Sequence, residues 1–109
     1  MILIVVKWTV LPESAPRWPE LTREFTEATR AEDGCLFFEW SRSVDDDRVY
    51  TLVEAFRDDE AGAAHVGSEH FRTAVGWMGD HVERTPEIIN VTVDQDGWGE
   101  MGEVTPTRR

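Results

Sequence analysis

Cysteine is almost missing from this 109-residue sequence. Cys35 stands alone, so no intrachain disulfide can form and nothing points to an oxidising compartment. A single cysteine of this kind reads first as a small buried hydrophobe and only second as a reactive thiol. Positive charge is also scarce. Eleven basic residues against twenty-two acidic ones leave a formal charge of −11, which repels phosphates and anionic lipid heads and sets nucleic acid and membrane surfaces aside as partners. Long apolar runs are absent too: the segment from Met1 to Val6 is stopped by Lys7. It is too short for a membrane span and lacks the basic leader of a signal peptide, so a cytoplasmic location is expected. There is no internal repeat or low-complexity stretch, and the length suits one domain.

What remains is the composition of a globular protein, 40% hydrophobic and 10% aromatic with five tryptophans. Ile2 to Leu11 is aliphatic at both parities, as in a strand covered on two sides. Pro12, Ser14 and Pro16 break it, and Ser14 or Ala15 can cap a helix whose stripe is Trp18, Leu21, Phe25 and Ala28. Asp33-Gly34 ends that helix. Cys35 to Val44 and Val49 to Arg57 form a hairpin about a polar turn. Asp58 or Asp59 caps a helical region that Gly62, Gly67 and Ser68 divide, with Phe71, Val75 and Met78 as its later buried stripe. Ile88 to Val93 is the last strand.

The order βαββαβ predicts an α+β, ferredoxin-like fold, a four-stranded antiparallel sheet with its helices on one face. Residues 1–95 make the domain and 96–109 a polar tail. Helices cover only one face, yet Ile2, Ile4, Val6, Trp8 and Val10 oppose Leu3, Val5 and Leu11. Each apolar side chain left in water forgoes roughly 1.5–3 kcal/mol, so a homodimer through the second sheet face is expected.

Three patterns invite chemistry. Gly97-Trp98-Gly99-Glu100-Met101-Gly102 matches G-x-G-x-x-G, but it joins no strand to a helix and implies no nucleotide cofactor; Trp98 is better used over a partner subunit. His65 and His70 lie five apart, on different faces unless Gly67 breaks the helix, and with no cysteine pair or third clustered histidine no metal site is expected. Glu54 stands mid-strand. If Val44 pairs with Val49, Glu39 lies directly across from it, and two close carboxylates would raise one pKa; the plainer reading is Glu39 in water and Glu54 paired with an arginine. The rings of Phe37, Phe38, Trp40, Tyr50, Phe56, Phe71 and Trp77 are mostly core, with a flat pocket for a planar ligand as the alternative.

The runs Gly34 to Trp40 (GCLFFEW), Tyr50 to Asp58 (YTLVEAFRD) and His65 to Phe71 (HVGSEHF) together resemble the antibiotic biosynthesis monooxygenase domain. That resemblance implies a ferredoxin-like fold and a dimeric α/β-barrel. It often implies a cofactor-independent oxygenase of quinols or polycyclic phenols, using dioxygen and neither metal nor flavin. His65 falls on the family's characteristic histidine and becomes the expected base or substrate anchor, with Glu54 orienting it. Phe38, Trp40, His70, Phe71 and Trp77 would line the substrate pocket. The resemblance disfavours haem, because Val75 stands where the haem-degrading branch has a histidine. An isomerase branch would need phosphate anchors, for which Lys7, Arg42 and Arg72 are the candidates. A noncatalytic dimeric binder of a planar metabolite is the alternative outside enzymes.

Overall fold

The computed structural model describes residues 1–108. Four strands, β1 (Ile2–Thr9), β2 (Cys35–Arg42), β3 (Val49–Phe56) and β4 (Glu87–Thr92), form one antiparallel sheet in the order β2-β3-β1-β4. Between β1 and β2 the chain makes a 3-10 turn at Ala15–Arg17 and two helices, α1 (Trp18–Leu21) and α2 (Arg23–Arg30). Between β3 and β4 it makes α3 (Asp59–Val66), α4 (Glu69–Met78) and a 3-10 turn at Gly79–His81. This is the predicted βαββαβ order, with each helical region divided.

The divisions have local causes. Thr22 sits between α1 and α2 and turns its hydroxyl inward to donate to the carbonyl of Trp18 at 2.9 Å, the local competition that bends helices. Asp58 caps α3 by accepting from the Ala61 amide at 2.9 Å. Gly67 and Ser68 then end α3 and start α4, Ser68 accepting from the Phe71 amide while its hydroxyl donates to the His65 carbonyl at 2.6 Å. Ser14 caps nothing through its side chain; its hydroxyl meets His81 Nδ1 at 2.8 Å instead. Gly34 is required by space, because a Cβ there would come within 2.3 Å of the Ala61 Cβ on α3.

Even-numbered residues of β1 and β3 face the helices. Val6, Val10, Trp18, Phe25, Phe38, Tyr50, Leu52 and Met78 make the main core. Trp8, Trp18 and Trp40 stand 5.6–5.9 Å apart, and Trp77 lies 6.0 Å from Trp18, so four of the five tryptophans pack in one cluster. The aromatic surplus is thus largely structural. On α4 the expected stripe is displaced by the break at Gly67: Ala74 and Met78 are buried, whereas Val75 is 55% exposed.

The other sheet face has no helix. Leu3, Val5, Phe37, Val53, Ile89 and Val91 share it by register, and Ile89 and Val91 are exposed. Trp98 packs on Phe37 of its own chain, with centroids 5.1 Å apart, at the border of this face rather than reaching only toward a partner. Every residue of the edge strand β4 is exposed. Among the described residues no helix is long and apolar enough to cross a membrane.

Candidate active site

The polar turn sets the register of the hairpin: Ser43, rather than Val44, stands opposite Val49, its amide donating to the Val49 carbonyl at 2.9 Å. It pairs Phe38 with Glu54 and Glu39 with Val53, so the expected Glu39–Glu54 opposition does not occur. Each strand residue alternates faces, and the one-residue shift sends Glu39 outward, where it accepts from Arg30 at 3.2 Å. Glu54 points to the helix side and is 6% exposed. It is paired with no arginine: every ion pair of Glu54 and Glu32 among the described residues is with a histidine.

The break at Gly67 brings His65, in the last turn of α3, and His70, in the first turn of α4, onto one carboxylate. His65 Nδ1 lies 2.8 Å and His70 Nε2 2.5 Å from the same oxygen, Oε2 of Glu32. The break at Gly67, the condition under which these two histidines could come together, is present. The far nitrogen of His65, Nε2, faces Glu54 Oε1 at 3.8 Å. The four side chains form one line: His70, Glu32, His65, Glu54.

The line is dry at its inner end. His65 is 4% exposed and stacks on Phe56 with centroids 4.7 Å apart, while Phe71 meets it edge-on at 5.1 Å and Phe25 and Phe38 close the cage at 5.9 and 6.2 Å. Burial is the main reason that the Glu54 carboxyl is raised to about 7, and the negative charge of Glu32 adds to it. The two-carboxylate effect expected from the sequence is present, with Glu32 in place of Glu39 and burial as the larger cause. Cys35, nearby, is pushed up to about 11, again chiefly by burial, so its thiol stays protonated and unreactive at neutral pH.

At its outer end the line reaches a groove between α2 and α4. This groove, about 690 Å³, is lined by Leu21, Phe25, Ala28, His70, Ala74 and Trp77 together with the polar side chains of Glu20, Arg23, Glu24, Glu69 and Thr73. Of the residues expected to line a pocket, His70 and Trp77 are brought together here. Phe38 and Phe71 pack against His65 instead, and Trp40 lines a separate groove across α2 with Trp18, Thr26 and Tyr50, its indole N–H donating to Thr26 at 2.9 Å.

Glu32 escapes a reading of the sequence. It lies in the turn after α2, in Arg30-Ala31-Glu32-Asp33-Gly34, where a glutamate ordinarily faces water, and its partners are 33 and 38 residues away. No spacing rule joins them. Only the folding of the turn against α3, where Gly34 touches Ala61, turns its side chain inward.

A ferredoxin-like sheet with a broken second helix, and a histidine and a strand glutamate buried between them, defines a recognisable class of small α+β domain. The antibiotic biosynthesis monooxygenase family model matches residues 1–77, and the chain belongs to that family. Solved structures share the fold at low identity. One described as an antibiotic biosynthesis monooxygenase superposes with a TM-score of 0.78 at 23% identity, covering 87% of this chain and 100% of that one. Rv0793 from Mycobacterium tuberculosis gives 0.79 at 23% identity, covering 88% and 98%. A protein of Deinococcus radiodurans gives 0.82 at 20% identity, covering 94% and 100%. No curated protein matches the sequence.

Proposed function

We propose that this chain is a cofactor-independent monooxygenase that oxidises a quinol or polycyclic phenol with dioxygen, working as a homodimer. The observation that carries the reading is the buried line of His70, Glu32, His65 and Glu54, ending at His70 on a groove of about 690 Å³ that has an apolar floor of Leu21, Phe25, Ala28, Ala74 and Trp77 among polar side chains.

The chemistry asks for what such a line supplies. Triplet dioxygen reacts poorly with closed-shell organic molecules, but a phenolate gives up an electron readily, so removing one proton starts the reaction. In this reading the ring lies over Phe25 and Trp77 and its hydroxyl meets His70. Glu32 orients both imidazoles and offsets the positive charge that proton uptake creates, and the buried His65–Glu54 end shares the proton. Overall, a phenol carrying a ring C–H plus one dioxygen gives a quinone plus water. The substrate supplies all four electrons, and one oxygen atom enters the ring.

The isomerase reading loses its anchors. Arg42 donates to the Asp47 carbonyl, Arg72 donates to the Gly67 carbonyl, and Lys7 lies on the open sheet face, so the three cations do not converge. The groove carries three glutamates against one arginine, Arg23, which is itself paired with Glu20 at 2.7 Å, so it would repel a phosphate.

Turnover of a quinol and naphthol panel under ¹⁸O₂ is expected to yield a quinone carrying one labelled oxygen, above a no-enzyme control. Product no faster than the control across the panel would refute the reading. For the assembly, the uncovered face of Leu3, Val5, Phe37, Val53, Ile89 and Val91 is what supports pairing of two sheets. Light scattering at micromolar concentration should give twice the chain mass, and a monomer would contradict it.

A further inference from the structure

The same break that aligns His65 and His70 creates a donor set that the proton-transfer reading does not need. His65 Nδ1, His70 Nε2 and a Glu32 carboxylate oxygen all lie within 4.8 Å of one another. Two imidazoles and one carboxylate are the ligands that late first-row divalent ions prefer, and zinc takes such nitrogen and oxygen donors at about 2.0–2.2 Å. Three donors at that radius stand roughly 3–3.5 Å apart. The two histidine–carboxylate contacts, at 2.8 and 2.5 Å, would need to open by less than about 1 Å.

Two further observations point the same way. A histidine that binds a metal through one nitrogen usually gives its other N–H to a carboxylate. Here Nε2 of His65 faces buried Glu54, 3.8 Å away. No lysine or arginine neutralises either glutamate through an ion pair among the described residues, so the pocket is electronegative toward a cation. An entry path exists as well, since His70 borders the groove between α2 and α4.

We propose that Glu32, His65 and His70 form a divalent transition-metal site, backed by Glu54, and that an ion bound there switches the proton line off. The binding stands on the geometry alone, whereas the switching rests on the monooxygenase reading. A metal on His65 Nδ1 and His70 Nε2 replaces both N–H donors to Glu32 and fixes the remaining His65 proton on Nε2, toward Glu54. The path between the groove and His65 is then closed.

The test uses the full chain, stripped with a chelator, titrated with zinc at pH 7.5 against a chromophoric competitor. One equivalent is expected to bind at micromolar affinity or tighter. Loss of an outer partner of a metal ligand costs about 10–100-fold in affinity, so Glu32→Gln and His70→Gln, each removing a ligand, should weaken binding about 100-fold or more. His81→Gln should leave it unchanged, because His81 is bonded to Ser14 outside the cluster. No saturable binding up to millimolar zinc, or binding insensitive to Glu32→Gln and His70→Gln, overturns the site. Should those variants fail to fold, imidazole ¹⁵N resonances of the unaltered protein decide: His65 Nδ1 and His70 Nε2 should shift on zinc addition and those of His81 should not, and shifts at His81 alone overturn the site. With zinc bound, quinol oxidation should fall to the uncatalysed rate and return on chelation. Full turnover with zinc bound overturns the switch. Absence of turnover in both states would instead refute the monooxygenase reading, with the zinc titration still deciding the site.

Discussion

Replacing His65 with glutamine is expected to lower the proposed quinol turnover by about 10²–10⁴-fold, the usual worth of a positioned acid–base group. Glutamine keeps some of the volume and can still hydrogen-bond Glu32, but it cannot accept and return a proton. In the proposed reaction the loss falls on kcat, because the groove that receives the ring is lined by Phe25, His70, Ala74 and Trp77, with His65 behind it. His81→Gln, whose ring touches Ser14 and the edge of Trp77 but none of the four side chains of the line, is the control and should retain kcat. The imidazole of His65 also packs between Phe56 and Phe71, so the substitution lowers stability by about 1–3 kcal/mol. Rates should therefore be compared at a temperature where circular dichroism shows both proteins folded. An unchanged kcat in folded His65→Gln removes His65 from the chemistry.

The second large effect is on stability against pH. Burial, with help from Glu32, lifts the Glu54 carboxyl from 4.5 to about 7 in the folded chain. Between those values the folded protein holds a proton that the unfolded chain has released, so stability falls as pH rises. The contribution is complete below about 4.5 and lost above about 7. At about 1.4 kcal/mol for each pH unit, that rise amounts to about 3 kcal/mol across the window. Glu54→Gln carries no such proton and should flatten the profile there. Relative to the unaltered protein, the variant should match it near pH 5 and gain about 2–3 kcal/mol near pH 8, read from urea denaturation midpoints. A profile whose slope between pH 5 and 7 is the same in both proteins would place the Glu54 proton elsewhere.

Much of the fold is legible in the sequence because each element carries its own signal. The double-sided apolar run of β1 and the hairpin about Asp45-Asp46-Asp47 fall where the pattern places them, and of the first helical stripe Trp18 and Phe25 are buried, whereas Leu21 and Ala28 are half-buried and Thr22, Thr26 and Thr29 take the inner positions. The site is less legible, because it depends on two irregularities. One is the polar turn, which sets Ser43 rather than Val44 opposite Val49 and so exchanges Glu39 for Phe38 opposite Glu54. A polar turn leaves such a shift undetermined, since only burial of the alternating face fixes register. The other is the break at Gly67. Glycine and serine in sequence permit it, but the capping by Ser68 that turns His70 back toward His65 depends on the packing of α3 and α4 around it. Glu32, which joins the two histidines, is held by long-range contacts alone and has no local signature at all.

The fold's division of labour also becomes clear from these details. Even positions of β1 and β3 build the core and end at Glu54 and Phe56 under His65, while odd positions leave an apolar face that no helix of the described residues covers. The proposed chemistry and the proposed assembly thus fall on opposite faces of one sheet, and disturbing the second face should not by itself move the histidines.

The most direct measurement is oxygen uptake by metal-free, flavin-free protein at neutral pH with a quinol, beside His65→Gln and a no-enzyme control to account for autoxidation. Uptake well above the control is expected for the unaltered protein and uptake close to the control for the variant. Equal uptake by both proteins, or none above the control by either, would contradict it.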